Sequence, residues 1–188
     1  MTVAGFADTL HPPLEAVREY LHSASDAQVL DGCVAAGHDP SVGPQYFTFV
    51  AWSPVTEHQI RGYEATFQFR ISSEYRALLT QMNGLAYRRC HLYGIPPSML
   101  AAPPLLDRTK RQPLDIGTAN TVWCHGFKFH SQLFHLGSLW YSQAENGALF
   151  QTSHRSIVAV LKNGTTVAEW SGYSALVAWV FRRPETGV

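Results

Sequence analysis

The chain has 188 residues, 46% of them hydrophobic and 12% aromatic, enough apolar area to build one domain without disulfides or metal staples. Fourteen Lys and Arg balance fourteen Asp and Glu, and charged residues make up only 15% of the chain. So even a balance offers no field that would draw in nucleic acid or an anionic membrane surface.

The opening MTVAGFADTLHPP has neither a basic n-region nor an apolar h-region, and no run of about 18 apolar residues follows anywhere. A cytoplasmic location is the resulting expectation. Cys33, Cys90 and Cys124 are odd in number, far apart and form no CxxC pair, which reads as reduced thiols buried as small core residues.

In chain order, Leu14, Val17 and Leu21 repeat at helical spacing after Pro12 and Pro13, predicting a short amphipathic helix. From Gly32 to Pro54 the chain is rich in Gly, Pro and small residues, with one apolar run, Tyr46 to Trp52, readable as a strand or a buried loop. Thr56 can cap a helix through about Phe69, in which Ile60, Tyr63 and Phe67 repeat. Ser72 or Ser73 can cap another, with Tyr75, Leu78, Leu79 and Met82 on one face and Asn83-Gly84 as its stop. Cys90 to Ile95 reads as a strand, and Pro96 to Pro113, with five prolines, as a surface excursion or a functional loop.

Beyond it the period changes to two, over Thr121 to Cys124, Leu133 to Tyr141, Ala148 to Gln151, Ser156 to Leu161 and Thr165 to Trp170. Asn146-Gly147 and Asn163-Gly164 sit between successive runs and predict hairpins, because both residues accept positive φ. Tyr173, Leu176, Val177 and Val180 then predict a last amphipathic helix before Pro184. Together these elements predict an α+β fold: an antiparallel β-meander packed against N-terminal helices and a C-terminal helix. Residues 1–55 are expected to form an N-terminal helix and irregular segment on the core, and residues 56–188 the main domain.

Candidate chemistry is thin. Cys124, His125, His130 and His135, with His154 downstream, are zinc-type ligands, but intervals of five match no short-spaced zinc pattern. Cys90 and Cys124 each precede a histidine directly, yet neighbours on a strand point to opposite faces, which opposes a thiol dyad. There is no GxSxG elbow, HExxH pair or Gly-rich phosphate loop, and Arg108, Lys110 and Arg111 have no aromatic stacking platform after them. No catalytic residue, cofactor or metal is therefore assigned, and no enzyme activity is expected.

ISSEYRALLTQMNG (Ile71 to Gly84), CHLYGI (Cys90 to Ile95), FHLGSLWYSQAENGALF (Phe134 to Phe150), IVAVL and VAEWSGYSALVAWV together resemble the SUKH superfamily, the Smi1/Knr4 type, over about residues 56–182. Tyr75, Asn83, Gly84, Glu169, Trp170 and Tyr173 occupy the places of its pattern, although Ile71-Ser72-Ser73-Glu74 stands where a proline is usual. The resemblance implies an immunity-type protein that binds and neutralises a cognate bacterial toxin, often a nuclease, by occlusion. It implies as an alternative a regulatory scaffold that binds a housekeeping partner. A protein-binding face would draw on exposed aromatic and arginine residues, and Tyr87, Arg88, Arg89, Asp115, Trp140 and Glu145 are its candidates.

Overall fold

The computed structural model describes residues 1–100, 112–126, 133–140 and 146–182. Thr2 caps the first helix, α1 (Val3–Asp8), its hydroxyl accepting from the Gly5 amide. After the two prolines comes α2 (Glu15–Ser23), which buries Val17 and Leu21 as their spacing predicts. The next stretch is not irregular: it holds β1 (Gln28–Leu30), β2 (Cys33–His38) and β3 (Phe47–Trp52). Only the third of these was legible as a strand. Cys33, Val34, Ala35 and Ala36 of β2 are small and all buried, so packing on both faces, not intrinsic preference, makes them a strand.

Thr56 caps α3 (Glu57–Phe67) through a reciprocal capping box with Gln59. Ser72 caps α4 (Ser73–Leu79), whose Tyr75, Leu78 and Leu79 are buried. The Tyr75 hydroxyl reaches the backbone carbonyls of Tyr93 and Leu136, fastening α4 to the layer beneath it. Then follow β4 (Leu85–Tyr87), β5 (Cys90–Leu92), a single turn α5 (Pro97–Leu100) and α6 (Ile116–Thr121) with a 3-10 turn at Trp123–Gly126. The strand expected over Thr121 to Cys124 is therefore helical. Asp115 caps α6 by accepting from the amides of Gly117 and Thr118, and a four-residue apolar run could not distinguish this helix end from a strand. The rest matches the expected order: β6 (Phe134–Trp140), β7 (Asn146–Gln151), β8 (Ile157–Leu161), β9 (Thr166–Trp170) and α7 (Tyr173–Arg182).

All nine strands form one antiparallel sheet in sequence order, β1 to β9, giving an α+β fold with helices before and after the meander. Asn163-Gly164 forms the β8–β9 turn, with Gly164 at φ 96° and Asn163 accepting from the Thr165 amide. Asn146-Gly147 does not form one. It lies inside β7, opposite Trp140 and Leu139. The main core joins the helices to one sheet face and includes Phe6, Val17, Phe49, Tyr75, Leu149 and Leu176. The other face carries two smaller clusters, Cys33, Ala35, Val50 and Trp52 near one edge, and Ala148, Phe150, Val158 and Val160 near the other. Among the described residues, no helix is long and apolar enough to cross a membrane.

Candidate protein-binding surface

A meander places alternate turns at the same end of its sheet. The pair Tyr87 and Cys90 closes β4 onto β5 and leaves Arg88 and Arg89 as a two-residue turn. Arg88 stands at φ 51°, left-handed, at the first turn position, where primed hairpin turns usually have Gly, Asn or Asp. A side chain there costs about 1–2 kcal/mol. The turn is clamped from both sides: the Arg88 amide donates to the Thr48 carbonyl at 2.7 Å, and the Arg89 carbonyl accepts from the Trp140 amide at 2.9 Å. These bonds put the end of β6 directly beside the turn.

Under the turn lies an aromatic layer. Tyr87 is buried, not exposed, because strand alternation turns it to the core face with Leu85 and Cys90. Its ring stacks on Phe181 of α7, with centroids 4.2 Å apart and planes 5° from parallel, and meets the edge of Tyr20 at 5.2 Å. The Arg88 guanidinium carbon sits 5.0 Å from the Tyr87 ring centre, within cation–π range. Tyr87 thus supports the surface from below, while Arg88, Arg89 and Trp140 face solvent, Trp140 with 43% of its surface exposed.

Other exposed groups lie at the same end of the sheet. The β2–β3 connection brings Tyr46 and Val42, both exposed, since His38 and Phe47 are the last pair before it. The β8–β9 turn brings Lys162, and Arg182 follows Phe181 at the end of α7. None of these was named from sequence. Phe181 continues the apolar face of α7 one turn past Val177, a periodic signal that could have found it.

Asp115 is not part of this group. It lies beyond the opposite end of β5, where it caps α6 and accepts from the Tyr63 hydroxyl, so its role there is structural. Burial first, and then the bond to Asp115, push the Tyr63 hydroxyl well above its ordinary range. Glu145 lies outside the described residues, as do Tyr141, His130, Arg108, Lys110, Arg111 and most of the proline-rich stretch.

Cys90 and His91 occupy opposite faces of β5, Cys90 in the main core, where burial pushes its thiol up to about 12. His135 is buried and stacks on Phe150 at 4.7 Å, with ring nitrogens 3.3 Å from the Ala119 carbonyl and 3.1 Å from that of Gly137. Burial holds it down to about 4 despite those two acceptors, so the ring is neutral. Among the described residues, no three His, Cys, Asp or Glu side chains are placed to hold one metal ion. A surface dish of about 310 Å³ beside α3 is lined by Arg61, Ala65, Gln68, Phe69 and Arg70, with Glu64 at its base. Glu64 is fully engaged there by Arg70, Arg76 and the Ile71 amide.

Compared with known proteins, the chain matches no family model, no curated protein and no solved structure.

Proposed function

We propose that this chain is an immunity-type protein that binds a cognate toxin and neutralises it by occlusion, using the sheet end that carries Arg88, Arg89 and Trp140. The observation behind this reading is the strained Arg88. A left-handed turn position is cheapest with Gly, and such strain clusters at functional sites; of the three described non-Gly residues that carry it, Gln68, Arg88 and Arg155, Arg88 is the one whose turn is bonded to Trp140. Arg and Trp are also the residue types that dominate interface hot spots, and here they stand on a rigid aromatic base. Occlusion requires no covalent chemistry and no cofactor, only a well-packed contact of about 800 Å² per partner.

A regulatory scaffold that uses the same surface on a housekeeping partner is the second reading. The charge balance favours retaining it, because electrostatics singles out no basic nuclease as the target. Affinity capture from the native host, followed by co-expression with whatever binds, separates the two. Rescue of cells from a captured toxic protein supports immunity. Capture of a housekeeping protein alone, with no toxicity to suppress, supports the scaffold and overturns the first reading.

A further inference from the structure

An open sheet has two edges, and here they differ. β1 is three residues long and turns back at Asp31-Gly32, the short kind of edge that a protein can leave bare. β9 is five residues long, includes the strand-favouring types Thr, Val and Trp, and pairs on one side only, with β8. No hydrogen bond joins its outer side to any described residue. Of the usual guards it has one charge, Glu169, and a register shift against β8 at Ala159–Val160, but no lysine and no proline.

α7 returns beside the same edge, where Trp179 meets the Trp170 ring at 5.1 Å. Of the ten residues of this helix only Ser174 and Arg182 are exposed, so it is apolar nearly all round, a composition normal where neighbours cover every side. At the β9 flank the cover is incomplete: Ala175 and Trp179, one turn apart, are half-buried, as are Val167 and Ala168, and all four pack on the margin of the main core.

We infer that β9 accepts an extended peptide segment of a partner protein as a tenth strand. The backbone of that segment bonds the free edge, one set of alternate side chains lies on the Ala175 and Trp179 flank, and the other set brings a lysine or arginine beside Glu169. Strand alternation supplies both sides. Ala168 and Trp170 pair with Ile157 and Ala159 on the core face, where α7 lies, whereas Glu169 pairs with Val158 on the opposite face. No described cation pairs with the exposed Glu169 carboxylate. Main-chain bonds give such a contact affinity for extended segments in general, and the two faces select among them. A second copy of the chain fits less well, because the strand TVAEW has no cation and two paired β9 strands leave both Glu169 carboxylates without a counter-charge. This contact runs along the edge of the sheet and not at its Arg88 end, so it stands or falls separately from the occlusion reading.

The test selects short peptides from a random display library on the full chain and measures their affinity by fluorescence polarisation. The expected sequences alternate apolar residues with one Lys or Arg. Methylating one peptide nitrogen at a time should weaken binding about tenfold at every second position and little in between, the signature of a strand bonded along one edge. Glu169→Lys, an exposed change that should leave the circular dichroism spectrum as it is, should lower affinity about fivefold and, on reselection, replace the peptide's cation by Asp or Glu. Hydrogen exchange on the complex should show new protection over Thr166–Trp170. Methylation effects without alternation, indifference to Glu169→Lys, or no enriched peptide at all overturns the inference. Protection at Arg88, Arg89 and Trp140 in place of β9 overturns it too, and leaves the protein-binding reading standing. A dimer whose dissociation constant shifts with Glu169→Lys, with no peptide enriched, overturns it in favour of a second copy.

Discussion

Asn83 and Asn120 solve the same problem at two places in the sheet. Asn83 donates its amide to the Ile95 carbonyl and accepts from the Ile95 amide, both at 2.8 Å, so one side chain substitutes for a strand neighbour. Asn120 does the same for His135, at 2.8 and 2.9 Å, next to the bulge between His135 and Gly137 in β6. Asn83→Ala leaves a buried donor and a buried acceptor unmet, and it is expected to cost about 2–4 kcal/mol in urea unfolding. Asn120→Ala, at a partly buried site, should cost less. His135 adds a pH dependence. Its folded pKa, about 4, lies below its ordinary value of 6.5, so the unfolded chain binds the proton first. Stability is therefore complete above pH 6.5 and declines as pH falls toward 4, by about 3 kcal/mol in all. The urea midpoint measured between pH 7.5 and 5 should show this slope, and His135→Gln should flatten it. A slope unchanged in the variant would assign the loss to other groups.

At the scale of elements, the link between α3 and α4 centres on one buried carboxylate, with Glu57 at the start of α3 adding a second, exposed pair to Arg76. Glu64 on α3 accepts from the Ile71 amide at 2.8 Å and from Arg76 on α4 at 2.6 Å, with Arg70 at 3.2 Å. Burial pushes this carboxyl up, but the Ile71 amide and the two arginines outweigh it and hold it below its usual range. Its contribution is thus present near neutrality and lost as pH falls through that lowered pKa. Glu64→Ala should cost about 3 kcal/mol at pH 7, and the difference from the parent should shrink as pH falls through that lowered pKa, where the parent loses the same interaction. Neither helix needed this pair to be legible. Thr56, Ser72 and the apolar spacing located both, and the same period located α7 with its four buried residues. What stayed hidden was set by distant contacts. β2 is a strand because both of its faces are buried, Val34 and Ala36 in the main core and Cys33 and Ala35 in a second cluster, and α6 is a helix because Asp115 caps it while Tyr63, more than fifty residues earlier, holds that cap. The candidate surface was half legible for the same reason. Residue type pointed to Arg88, Arg89 and Trp140, but only strand order shows them meeting and Asp115 standing apart.

On the scale of the molecule, the sheet does not respect the expected division at residue 55. β3 pairs with β4 through Phe49–Tyr87, Val50–Ala86 and Ala51–Leu85, so the hydrogen-bond ladder runs without a break from Gln28 to Trp170. The helical layer crosses the same line, since α2 packs on α7 and Tyr20 lies against Phe181. Removing residues 1–55 would leave the three-residue β4 as an edge and bare the core side of Leu85, Tyr87 and Phe181. The whole chain is expected to unfold in one cooperative step, with near- and far-ultraviolet circular dichroism coinciding. Residues 56–188 alone should keep helix signal but lose the near-ultraviolet spectrum and bind a hydrophobic dye, as a loosely packed state does. The candidate surface would go with them, because Phe49 and Tyr20 support the Tyr87 ring under Arg88, and the Thr48 carbonyl holds the Arg88 turn. A sharp, dye-free transition in the shortened chain would instead mean that the first three strands are an attachment, and that the turn holds its shape without them.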